Sequence, residues 1–372
     1  MRGGSATLLR MLVAVAGAFR KMAFCLDHEK PMTGPTRIYL GCYGDADEAT
    51  IHVYDFDATS GQMAPLQQFA GIVNASYVLP DVANARLYAV SETGEGEVCA
   101  LAIGSDGRLS LLNRQASGGD SPCYLSKVGN ALLVANYFGH NAALLPLAAD
   151  GLVLPMAGEV RHNGASHVNA ERQDAPHLHS ITPSPDGRYA LVLDLGRDEI
   201  AVYRIDGQQL VPHGQTATAP GAGPRHLVFD AAGRFAYVVN ELTSEIAVYA
   251  WHDGQLEHRQ TISSLPVGFE GDNTGAELQL SPDGTFLYAS NRGHDSIAIF
   301  RVVDGLLEAA GHVPCGGQMP RNFALSPCGR WLLVANQASG VLVLFARDIA
   351  SGALTQTAMS AKLDRPVCVK FV

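Results

Sequence analysis

Eight ionisable residues stand at the borders of short apolar runs in this chain: His177, His179, Arg225, His226, Glu241, Glu277, Arg292 and Arg321. A guanidinium forks onto carboxylate or phosphate oxygens. An imidazole exchanges a proton near neutral pH, and a carboxylate takes or orients one. Gathered in one place, these groups would hold an anionic substrate and do acid–base chemistry on it. Taken singly, each reads equally as a surface group or a cap, because polar residues collect at turns. Glu277 reads equally as the holder of an arginine. His177 and His179 are two residues apart, so a strand would turn both to one face. A metal pair with Asp194 or His226 as third ligand is one reading of them, but no spacing demands it. There is no GxSxG elbow and no HExxH, and the glycines at 221, 223, 316 and 317 precede strand-like runs rather than helices. No metal and no cofactor is expected.

The elements that must position these groups repeat one phrase. Its clearest copy is GAGPRHLVFDAAGRFAYVVNEL, residues 221–242: a glycine approach, a strand, a turn at Gly233, and a second strand ending in Asn240 and Glu241. An antiparallel hairpin brings the start of the first strand and the end of the second to one edge. Arg225, His226, Asn240 and Glu241 should therefore be neighbours. Second strands begin at Ile38, Leu87, Ala131, Tyr189, Phe235, Phe286 and Trp331, at intervals from 44 (87 to 131) to 58 (131 to 189) residues. Five residues on comes Tyr43, Glu92, Asn136, Asp194, Asn240, Asn291 or Asn336; the recurrent Asn reads as a structural bond to loop backbone. SPDG or SPCG turns precede three of the second strands, and alternating third strands such as EIAVYRI and SIAIFRV follow them. Seven copies of a four-stranded unit predict an all-β, seven-bladed β-propeller over residues 36–372. The first copy lacks its innermost strand, and RPVCVKFV at 365–372 supplies it, closing the ring. First-strand starts and second-strand ends then share one mouth of the central channel, which collects all eight residues. The longest insertion, 151–174, carries Arg161, His162, His167 and Arg172; these read either as cover over the mouth or as solvated loop charges.

A net charge of -10 argues against a nucleic-acid partner. The seven cysteines are odd in number and lack a CxxC, which fits free thiols in a reducing, cytoplasmic setting. Residues 1–35 hold an apolar run, 11–19, too short to span a membrane. They read as a leader or upstream start, with the alternative of an export signal cleaved near Ala14-Val15-Ala16. A closed ring is expected to be monomeric.

The stretches VNAERQDAPHLHSITPSPDGRY, PGAGPRHLVFDAAGRFAYVVNEL, TGAELQLSPDGTFLYASNRGHDSIAIF and GGQMPRNFALSPCGRWLLVANQ resemble the seven-bladed propeller lactonase family. That family contains propeller-type 6-phosphogluconolactonases and the fungal carboxy-muconate lactonizing enzyme. The resemblance spans about residues 36–372 and implies a His, Arg, Glu, Arg set at the channel mouth. On this chain the matching positions are His179 (or His177), Arg225, Glu241 and Arg292, with His177, His226, Glu277 and Arg321 as substrate-binding groups. The family's PHPHS reads PHLHS here, with Leu178 in place of proline. The implied substrate is a small anionic lactone, 6-phospho-glucono-1,5-lactone of the oxidative pentose phosphate route. Glu241 or a histidine would activate water, and arginines would hold the anion. The alternatives are a cycloisomerase or hydrolase of a carboxylated lactone, and a non-enzymatic binding propeller.

Overall fold

The computed structural model describes residues 36–372; the leader reading and Cys25 lie outside them. Seven four-stranded antiparallel sheets stand around one axis, and apart from a 3-10 turn at Val82–Asn84 the regular elements described are all strands. Blade 1 takes its innermost strand, Pro366–Phe371, from the far end of the chain and pairs it with Thr36–Cys42. Blades 2 to 7 follow in chain order. Their innermost strands are Val78–Asp81, Pro122–Val128, Leu178–Pro183, Pro224–Phe229, Thr274–Leu280 and Pro320–Leu325. The insertion read as 151–174 differs in one respect. It contains the outer strand of blade 3, Gly158–Arg161, so the true excursion is 162–177.

Local chemistry explains the blades. In the SPDG turn of blade 4, Ser184 Oγ donates to Asp186 (2.6 Å) and accepts from the Tyr189 amide (3.0 Å), while Gly187 takes the positive φ (70°) that the turn requires. Second and third strands are apolar on both faces because each blade packs between two others. Tyr237, Val248 and Val239 of blade 5, for example, meet Leu278, Leu287 and Phe300 of blade 6. Tyrosines latch neighbouring blades: Tyr88, Tyr237 and Tyr288 each donate to a glycine carbonyl of the next blade, Gly151, Gly305 and Gly352. The recurrent Asn does the same on the other side. Asn136, Asn291 and Asn336 donate to Ser117, Ser264 and Cys315, each just past the outer strand of the preceding blade.

Candidate active site

The innermost strands carry a shared irregularity that decides what enters the channel. In blade 3 the register runs Pro122 to Asn136 and then Tyr124 to Ala135, skipping Cys123. Blade 4 skips His179, blade 5 skips Arg225 and blade 7 skips Arg321 in the same way, and on the closing strand the skipped residue is Val367. A bulge frees one residue from the ladder and re-aims its side chain. All five bulged residues line the channel at or below one mouth. Blade 6 has the same one-residue offset between Gly275 and Leu278; Ala276 stands there where Arg225 stands in blade 5, and Glu277 takes the place of His226.

The mouth opens into a cavity of about 620 Å³ whose wall includes His177, His179, Glu241, Arg292 and Arg321. At its floor Glu241 is almost wholly enclosed and draws three guanidiniums. Arg172 Nη2 donates to Oε1 at 2.6 Å, Arg292 Nη2 lies 3.2 Å from the same oxygen, and Arg225 Nε lies 2.9 Å from Oε2. The Arg225 N–H is not aimed at the oxygen, so that contact is a charge pair rather than a hydrogen bond. Arg225 and Arg292 are 2% and 8% exposed, and each is braced by a carbonyl, Ala276 (2.6 Å) and Gly275 (2.9 Å). Burial alone would raise the Glu241 pKa, but Arg292 and Arg225 lead the opposing charges and hold it well below the usual carboxylate range. Burial lowers Arg292 to about 10, with Glu241 resisting, so it stays charged at neutral pH.

His179 Nε2 faces Glu241 Oε2 at 3.7 Å, while its buried Nδ1 bonds to nothing among the described residues. Burial and then Arg225 push its pKa well below the ordinary histidine value, so the ring is neutral. His177, on the same cavity wall, is committed elsewhere. It stacks on Tyr137 (4.5 Å between centroids), meets Asp174 at 3.1 Å, and its amide donates to Asp194. His226 lies deeper, lining a small chamber beneath the cavity with Ser76, Arg225 and Asn322. Burial lowers its pKa to about 4, and Glu277 pairs with its Nδ1 at 3.3 Å. Glu277 sits off the cavity wall, holding His226 and accepting from Asn322. Arg321 has no hydrogen bond or ion pair among the described residues; it lies over the Tyr43 ring (5.6 Å). Hairpin pairing thus brings Arg225 and Glu241 together, as expected, and the ring brings Arg292, His179 and Arg321 to them. No group of three His, Cys, Asp or Glu among the described residues could hold a metal ion.

The insertion divides in its fate. His162 turns into the core between Asp194 (2.6 Å) and Tyr203 (2.8 Å), Arg161 stays outside against Glu159, and His167 is exposed. Arg172 reaches the cavity. Residues that sequence reasoning did not single out make this possible. Gln173, fully buried, donates to Leu195 O and Asp198 Oδ1, and Asp198 also accepts the amides of Gly221 (2.7 Å) and Gly223 (2.8 Å). One carboxylate therefore fixes both the loop carrying Arg172 and the glycine approach to Arg225. Its only signal in the sequence is an Asp at a turn. Tyr137, beneath the loop, was likewise not singled out; it meets Arg172 Nη2 at 3.3 Å.

The model of a family described as "Lactonase, 7-bladed beta-propeller" matches residues 37–371. A Bacillus subtilis 6-phosphogluconolactonase is 33% identical over 342 residues, covering 90% of this chain and 97% of the relative. A solved Bacteroides fragilis structure, provisionally assigned as a 6-phosphogluconolactonase, superposes with a TM-score of 0.86 at 35% identity, covering 92% of this chain and all of that one. A Pseudomonas aeruginosa periplasmic gluconolactonase superposes with a TM-score of 0.84 at 35% identity, covering 91% and 99%.

Proposed function

The chain belongs to the seven-bladed β-propeller lactonase family, and from that membership and the charges of the mouth we propose that it hydrolyses 6-phospho-glucono-1,5-lactone to 6-phosphogluconate. The observation that carries this is the division of labour among the arginines. Glu241 is neutralised by Arg225 and Arg292, while Arg321 lies on the wall without a close ion pair of its own. A cavity built this way favours an incoming anion and a developing oxyanion.

In the reaction, water attacks the lactone carbonyl carbon and gives its proton to His179. The neutral, depressed imidazole, whose buried Nδ1 has no other hydrogen-bond partner among the described residues, suits that step. Glu241, too acidic to be an effective base, orients the ring through Nε2 and balances the imidazolium that forms. Arg321 stabilises the tetrahedral oxyanion. Collapse breaks the bond to the ring oxygen, which takes the proton back from His179. The product is the open hydroxy acid, which loses one proton to solvent as it ionises. No metal takes part: guanidiniums crowd the floor and would repel a divalent cation. Two further properties accompany this reading. The closed ring supports a monomer, and six described cysteines that are free thiols support a reducing compartment; light scattering and the intact mass of the native N-terminus check them.

The test generates the lactone in place with a glucose-6-phosphate dehydrogenase and follows its opening, with chelator present throughout. Unmutated protein should exceed spontaneous opening. His179→Gln and Arg321→Met should each lose about 100-fold or more in kcat/KM while keeping the unmutated melting profile. A rate no different from the blank would sink the proposal.

A further inference from the structure

We propose that Arg172, on the loop over the mouth, recognises the substrate's phosphate, giving up Glu241 for it when substrate enters; this rests on the lactonase reading above. The four arginines of the cavity differ in depth and in commitment. Arg225 and Arg292 are buried and each is pinned by a backbone carbonyl. Arg321 is held against the Tyr43 ring. Arg172 alone comes from a loop, and its side chain is 37% exposed. Its guanidinium contacts, Glu241 and Tyr137, are both side chains of the cavity wall. It can therefore change partners without breaking any backbone bond. In the exchange Glu241 gives up the Arg172 hydrogen bond and keeps its charge pairs with Arg225 and Arg292.

The loop is built so that only the side chain needs to move. Asn169 caps the turn by accepting the amides of Glu171 and Arg172, and Gln173, the next residue, is locked to Leu195 and Asp198. The substrate's geometry fits this depth order. Its phosphate sits on the exocyclic C6 arm, outside the lactone ring and free to rotate about the C5–C6 bond, and a dianion is least costly to place where it stays partly hydrated. With the carbonyl at His179 and Arg321, the C6 arm can turn the phosphate toward the rim, where Arg172 stands. There the loop otherwise offers Glu171 and Asp174, so removing Arg172 turns its contribution from attractive to repulsive. The same device gives selection between phosphorylated and plain lactones.

Two ligand pairs test this with the full chain: 6-phosphogluconate and gluconate by titration calorimetry, and the two corresponding 1,5-lactones by turnover. Unmutated protein should prefer the phosphorylated member of each pair. In Arg172→Gln the phosphorylated member should lose about 10- to 100-fold more than the plain one, through KM more than kcat, and Arg172→Lys should recover part of the difference. An equal loss for both members overturns the assignment, as does unmutated protein without a phosphate preference. The binding arm stands apart from catalysis. A chain that prefers the phosphorylated acid through Arg172 yet opens neither lactone would sink the lactonase reading and leave this one standing.

Discussion

Three guanidiniums around one carboxylate make Glu241 a weak base, and the proton-accepting role in the proposed mechanism therefore goes to His179. The imidazole is depressed by burial and by Arg225, so it stays unprotonated well into the acid range. The sign of the pH dependence follows. Activity needs neutral His179 and is lost as pH falls through its folded pKa, below the ordinary value of 6.5. The acid limb of kcat/KM should therefore have its midpoint under 6.5 and vanish from the residual activity of His179→Gln. A midpoint at or above 6.5 would reject His179 as the base. The residue types at the mouth were legible in the sequence, because hairpin geometry alone joins Arg225 to Glu241. The contact of Arg172 was not, because the path of an excursion at 162–177 follows no periodicity. Glu277, expected at the mouth, lies beside His226 below it, because the bulged position of blade 6 falls to Ala276 and Glu277 takes the next, deeper place, as His226 does in blade 5.

At the scale of the elements, bulges and one loop anchor do the positioning. Period-2 patterning gives a strand's two faces, but a bulge breaks that period. Sequence alone thus left His177 and His179 open, whereas the skipped position in blade 4 is His179, in step with Cys123, Arg225 and Arg321. Asp198 is the other device. Asp198→Ala would leave the amides of Gly221 and Gly223 and the Gln173 amide group without their acceptor. A destabilisation of about 3 kcal/mol or more is expected. The loss of affinity should be larger for 6-phosphogluconate than for gluconate, since the loop bearing Arg172 loses its anchor. Denaturant unfolding and calorimetry check both. An unchanged ligand preference would show that the loop holds its place without Asp198.

For the whole molecule, seven-fold repetition made the fold easy to read: strand starts, turns and ring closure all appear as spacing. Closure has a mechanical side. The final strand pairs Val369 with Leu40, and the Val369 amide donates to Asn322, which donates to Glu277, the partner of His226. The strand that shuts the ring thus also braces the floor of the site. Ending the chain at Asp364 should expose the edge of Thr36–Cys42 and lower Tm by roughly 10 °C or more, with aggregation. Adding a synthetic peptide of residues 365–372 should restore part of the lost stability. A truncated chain as stable as the full one would refute the role of closure.

That same order of strands sets a schedule for synthesis. Six blades are assembled from consecutive segments and can form as the chain leaves the ribosome. Blade 1 waits with three strands and an open edge until 366–371 emerges, after every other described strand has been made. The enzyme's first-made blade is therefore its last to be finished, and until it is, Asn322 behind Glu277 and His226 lacks the Val369 amide. Until that strand pairs, the waiting edge is the surface a chaperone would have to shield.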